Sequence, residues 1–220
     1  MTTYTLSSPP DLSNGKEFNG DRFEGCKFLC GVFEDLRFVD CHFINCKIIS
    51  YSFRYDDEET LNWGKFMNCV FTGCKIDDCL FYVSVKNCVF PESFITNTMF
   101  LKDIDVDLRG AKLANNSFGC DEIISLIPPL EIVSEPNLVQ RIAQIITENP
   151  NSLDMSDWHS GCGTTHCLAG WATTIHPQGV ELEKMIGTGA AGKILLPEGA
   201  HLFFKREEEV MEFLESAIAQ

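Results

Sequence analysis

The densest group of reactive side chains in the chain lies in DWHSGCGTTHCLAGWAT, which places Asp157, His159, Cys162, His166 and Cys167 close together. Three chemistries compete for this pattern. In the first, Cys162 is a thiolate nucleophile with His159 or His166 as its base, and the start of a following helix lowers the thiol pKa; Asp157, or Asp154 nearby, is the acid available to orient a histidine. In the second, His159, Cys162, His166 and Cys167 bind zinc, although adjacent ligands at 166 and 167 do not fit the usual paired spacings. In the third the cluster is structural: Gly161 and Gly163 make a tight turn, Thr164 or Thr165 caps a helix, and Cys167 and Trp171 pack into a core. The two glycines around Cys162 favour the third reading, since a small residue is needed there whatever its chemistry.

A second apparent signature is weaker. GTGAAGK satisfies G-x-G-x-x-G with Gly187, Gly189 and Gly192, and a P-loop up to Lys193, but Ile194 stands where a Ser or Thr must reach magnesium. The preceding VELEKMI is more helical than extended, whereas both phosphate motifs need a strand feeding the loop. A glycine-rich turn into a short helix accounts for it, and no cofactor is expected.

The elements that must position these residues fall into two kinds. Phe18, Phe23, Phe28, Phe33, Phe38, Phe43, Ile48 and Phe53 stand on a strict five-residue ladder. A step of five turns a helical residue by about 140° and flips a strand residue to the opposite face, so neither element points all eight inward. The chain must turn once per repeat, so that each centre faces the axis of a solenoid and stacks on the coil before it. The ladder resumes at Phe66, Phe71, Ile76 and Phe81, drops one residue to Val85, continues through Phe90, Ile95 and Phe100, and ends at Leu108, Leu113 and Phe118. Two residues before a centre stand Cys26, Cys41, Cys46, Cys69, Cys74, Cys79 and Cys88, a small inward slot. Seven of the eleven cysteines thus serve packing rather than pairing.

The units CKFLC, CHFIN, CVFTG and CLFYV resemble the pentapeptide-repeat family, whose consensus is A(D/N)LXX, with Cys here where Ala is commoner. The resemblance covers roughly residues 16–120 and implies a right-handed four-sided β-helix of about five coils, a rod roughly 25 Å tall at strand-like stacking. It also implies a non-catalytic role: members that protect or inhibit DNA gyrase act as DNA mimics. CGTTHCLAGWA is similar to a motif of uncharacterised bacterial and phage proteins, and brings no activity with it.

The predicted architecture is therefore β plus α. Residues 1–15 form an N-terminal extension or cap, and 16–120 the β-helix, interrupted by a loop insertion at 54–65. Residues 121–135 form a cap and linker, and 136–220 a small all-α domain. In the last, Pro136 suits a first helical turn, and Leu138, Ile142, Ile145 and Ile146 share a face before Asn149 and Pro150. Cys167, Leu168, Trp171, Ala172 and Ile175 form a second stripe that Pro177 ends. A third helix is predicted over about Ala190–Leu196 and a fourth over about Glu207–Ala219, with Val210, Met211, Leu214 and Ile218 inward.

The formal charge is −15. Residues 1–120 hold 12 Lys/Arg against 17 Asp/Glu, and residues 121–220 hold 5 against 15, so the helical part is the acidic one. Such a field repels nucleic acid and anionic membrane and favours a protein partner with a basic surface. The predicted contacts are the loop residues Tyr55, Asp56, Asp57, Glu58, Glu59 and Trp63, where two aromatics flank an acidic run, and Glu207, Glu208 and Glu209 on the last helix. The start MTTYTLSSPP lacks a signal-peptide pattern and no run approaches membrane-span length, so a reducing cytoplasm is the expected compartment. Two function classes follow. One is an interaction protein, with a homodimer among its allowed states, that mimics nucleic acid towards a host DNA-binding or defence enzyme. The other is a cysteine-dependent enzyme using Cys162.

Overall fold

The computed structural model describes residues 1–8, 10–13, 15–54, 65–161 and 163–218. It divides into two compact units, Met1–Glu131 and Ile132–Gln220.

The first unit is a parallel β-solenoid of about six turns, four sides to a turn. On one side Phe18, Phe38, Phe66, Val85, Ile104 and Ile123 are in register. The next side stacks Tyr4, Phe23, Phe43, Phe71 and Phe90, with ring centroids 5.1, 4.6, 4.6 and 4.8 Å apart. Phe28, Ile48, Ile76, Ile95 and Leu113 line the third side. Phe33, Phe53, Phe81, Phe100 and Phe118 line the fourth. Each centre lies over the centre of the neighbouring coil, ring on ring along the second and fourth sides, so a pentad that could not bury its Phe alone does so by stacking.

The corners explain the period. Two residues after a centre the backbone enters the left-handed region, as at Asp40, Asn45, Asn68, Asn87 and Asn97, with φ of 50–55°. Asp and Asn tolerate that region best after glycine. The corner amides also bond up the stack, Asn68 Nδ2 donating to Asp40 Oδ1 at 2.8 Å and Asn87 Nδ2 to Asn68 Oδ1 at 2.9 Å. The cysteine slot does more than fill space. From Cys41 onward each slot thiol donates to a carbonyl of the coil below, Cys41 Sγ to Phe18 O at 3.4 Å and Cys46 Sγ to Phe23 O at 3.3 Å, and Ser93 does the same to Phe71 O at 2.7 Å.

Three details differ from the ladder as read. Phe33 is only half-buried; its ring stacks on Tyr51 at 4.5 Å, because Gly31 leaves room for the Tyr51 ring beneath it. Ile104 is an inward centre between Phe100 and Leu108, four residues from each, so the corner shortened once at Val85 is shortened again there. The stack also extends beyond residues 16–120. Strand Thr3–Thr5 pairs with Arg22–Glu24 below, and Ile123–Ile127 pairs with Met99–Asp107 above, which raises the count from five coils to about six.

Among the described residues the second unit holds five α-helices: α1 Leu138–Glu148, α2 Leu168–Ile175, α3 Gly179–Ile186, α4 Thr188–Leu195 and α5 Glu207–Ile218. Six consecutive residues of α2, Leu168 to Thr173, are buried, as befits a helix apolar on all sides at the centre of a core. Helices α1 and α5 close that core with Leu138, Ile142 and Ile146, and with Val210 and Leu214. The glycine-rich string is no phosphate loop: Gly187, at φ +87°, ends α3 and lets the chain re-enter a helix at once as α4. Helix α2 begins at Leu168, past the threonines expected to cap it, because the chain up to His166 is held in bridge pairs with Leu153 and His159. The cap is Cys167, whose sulfur accepts from Gly170 N at 3.4 Å. Among the described residues no helix is long and apolar enough to cross a membrane.

Candidate functional site

The bridge pairing of His159 with His166 brings the two imidazoles together, Nδ1 to Nδ1, at 2.7 Å. On its far side His159 Nε2 lies 2.6 Å from Glu183 Oε1 of α3, and that carboxylate oxygen also accepts from Thr188 Oγ1 at the start of α4. A carboxylate only accepts, so His159 Nε2 carries the proton there, and the two Nδ1 atoms share one proton between them. The result is a Glu183–His159–His166 chain tying the turn to two helices. His166 is buried against the edge of Trp171, whose indole nitrogen donates to Ser152 O at 2.9 Å. Burial, then the neighbouring His159, pushes the His166 pKa below its ordinary value, against the opposing pull of Gly163 and Glu183. Its Nε2 has no hydrogen-bond partner among the described residues.

The orienting acid is thus Glu183, 24 residues from His159, while Asp157 is exposed and turned to a different neighbourhood. Glu183 was missed because its helix was weighed only as a poor strand before a phosphate loop. The signal was there: Glu183 lies one helical turn from Gly179 and from Ile186, both buried, and so on the face that meets the core.

Cys167 lies apart from the histidine chain. Burial pushes its thiol up to about 11, and its sulfur is engaged by the helix cap, so it is no thiolate at neutral pH. With both histidines bonded to each other and His159 also to Glu183, His159, His166 and Cys167 do not converge, and among the described residues no three His, Cys, Asp or Glu are placed to hold a metal ion. Cys162 lies outside the described residues, as do Tyr55, Asp56, Asp57, Glu58, Glu59 and Trp63.

A cavity of about 290 Å³ opens beside the cluster. Cys167 and Phe203 form its floor, Met155, Trp158 and Phe204 its walls, and Asp157 stands at its rim. His159 and His166 do not line it.

The surface charge is arranged, not scattered. On α5, Glu207, Glu208, Glu212 and Glu215 are exposed, opposite the buried Val210 and Leu214. Glu209 is half-buried and turned back to accept from Arg206 N at 3.2 Å, a helix-start role. The solenoid carries the opposite sign on one side: Lys27, Lys47, Lys75 and Lys112 occupy one in-register column, with Phe94 between the last two. Lys112 Nζ sits 5.0 Å from the Phe94 ring centre and Lys75 pairs with Asp77 at 3.1 Å.

No family model matches the chain, and no curated protein does. Three solved structures of QnrB1, a plasmid-mediated fluoroquinolone resistance protein, are similar to it. Two trypsin-treated variants give TM-scores of 0.34 and 0.31 at 13% and 11% identity, each over 53% of this chain and 67% of theirs. The full-length protein gives 0.28 at 11% identity, over 53% of this chain and 70% of its own. The fold of this chain is read from its own coils.

Proposed function

We propose that the chain is a non-catalytic interaction protein whose acidic helical unit engages a protein partner through a basic surface. The observation that carries this reading is the carboxylate row on α5. Four exposed glutamates occupy one side of a helix whose other side is anchored in the core, so the row is held on a fixed support. Like charges one helical turn apart, about 5.4 Å, weaken a helix slightly. A partner that supplies Lys or Arg turns that cost into attraction and a faster encounter. Mimicry of nucleic acid towards a DNA-binding or defence enzyme, and a cytoplasmic setting, belong to the same reading. The lysine column directs any mimicry to the helical unit, because that side of the solenoid presents positive charge.

The test is to replace Glu207, Glu208, Glu212 and Glu215 together by Gln and measure binding to a defined basic DNA-binding protein at several salt concentrations. The parent should bind with an on-rate that falls as ionic strength rises, compete with duplex DNA and bind no DNA itself; the variant, with unchanged circular dichroism, should lose most of the association. Equal binding by both proteins would refute the reading.

The cysteine-dependent alternative retains one favourable observation, the carboxylate-oriented His159–His166 pair within a few residues of Cys162. Timed alkylation followed by peptide mapping separates the two. A catalytic thiol reacts well ahead of the exposed Cys30, whereas a structural one does not.

A further inference from the structure

We propose that the cavity walled by Trp158 and Phe204 is a docking pocket for one cationic side chain, arginine or lysine, of the protein partner. The inference rests on the interaction reading above and names the contact within it.

Three features select the ligand. The two rings meet edge to face with centroids 5.8 Å apart, so they form a corner that offers π faces, and Phe204 is 60% exposed, a high value for an aromatic with no partner to cover it. Faces of Trp and Phe attract a guanidinium or ammonium group, more strongly as the pocket sheds water. Asp157 at the rim supplies the counter-charge. Its negative field reaches the floor, where it helps hold the Cys167 thiol protonated, and among the described residues Asp157 makes no salt bridge of its own. A neutral apolar ligand would gain nothing from that carboxylate, and an anion would be repelled by it and by the net charge of −10 over residues 121–220. The volume of about 290 Å³ suits a side-chain head and its methylene stem and is small for a whole cofactor.

The pocket is also preformed. The Asp154 carboxylate accepts from Ser156 N at 2.9 Å and from Ser156 Oγ at 2.6 Å, which shapes the turn before Asp157. The Trp158 carbonyl accepts from Cys167 N at 3.3 Å and is wedged against Gly170 of α2. The backbone that carries Asp157 and Trp158 is thus fixed before binding, which lowers the ordering cost of docking a side chain there.

The probe is the capped peptide acetyl-Gly-Arg-Gly-amide, titrated into the full-length protein while the indole N–H resonance of Trp158 is followed by NMR, assigned with a Trp158→Phe variant. Acetyl-Gly-citrulline-Gly-amide, the neutral isostere, and agmatine, a free small cation, are run beside it. A saturable Trp158 shift with the arginine peptide, absent with citrulline and weakened about fivefold or more by Asp157→Asn and by Phe204→Ala, is the expected result. Equal shifts with citrulline, no saturable shift with arginine, or full binding by both variants would overturn the proposal, and tighter binding of agmatine than of the peptide would overturn the assignment to a protein side chain. If the α5 Gln variant loses its partner while Trp158 never responds, the pocket fails and the interaction reading stands; if Trp158 responds and the α5 variant binds normally, the pocket stands and the acidic row fails.

Discussion

The carbonyl of Trp158 occupies the space that a β-carbon on Gly170 would need: an ideal Cβ there falls 2.0 Å from the carbonyl oxygen and 3.1 Å from its carbon. One backbone thus lies directly on another, and Gly170 sits in the first turn of α2 for that reason, although glycine is a poor helix former.

Gly170→Ala tests the contact. Helix propensity alone predicts a gain of up to about 1 kcal/mol, whereas the overlap with backbone predicts a loss of about 1–3 kcal/mol, because neither strand of chain is free to retreat. Denaturant unfolding of the helical unit should show the loss, together with a shifted Trp158 indole resonance. A variant as stable as the parent would place the Trp158 carbonyl elsewhere.

In the solenoid, Phe43 lies between Phe23 and Phe71 with 4.6 Å to each ring, while Phe33 has one close stacking neighbour, Tyr51. Phe43→Ala is expected to cost about 3–5 kcal/mol and Phe33→Ala clearly less, since a half-buried ring leaves a smaller void that solvent and Tyr51 can fill. Urea unfolding of both variants measures the difference. Equal losses would mean that Phe33 is as axial as its neighbours.

Acid should loosen the helical unit before the solenoid. His166 has a folded pKa below its unfolded value near 6.5, so the unfolded chain binds more protons in that range, and the stability this neutral histidine provides is full above about pH 6.5 and lost as the pH falls towards the depressed folded value. The proton that charges His166 goes to its buried Nε2, for which no acceptor is present among the described residues. Melting curves from pH 7.5 to 5 should show the helical unit falling in Tm while the solenoid holds. His166→Gln should flatten that slope, and an unchanged slope would remove the histidine pair as its origin.

The sequence alone determined the solenoid. A five-residue period of Phe with a small residue two before it demands a turn per repeat, and because each coil contacts only the next, local spacing fixes which side chains meet. That is why the inward faces of Phe43, Cys46 and Ile76 were legible, and the helix that ends at Ile175 nearly so. Where the period slipped, legibility failed: Ile104 lies four residues from each neighbouring centre, and Gly31 lets Tyr51 take the place against Phe33. The helical unit follows no such rule. The apolar stripes gave three of its helices within a residue or two, but the pairing of His159 with Glu183 across 24 residues, the wedging of Trp158 on Gly170 and the cavity beside Asp157 arise from how three separate segments pack on α2. Only the tertiary structure decided these, as it decided that Lys27, Lys47, Lys75 and Lys112 stand in one column: the lengths of the intervening coils, including one with an insertion and two shortened, set their register, and charge carries no period of its own by which the alignment could be read in advance.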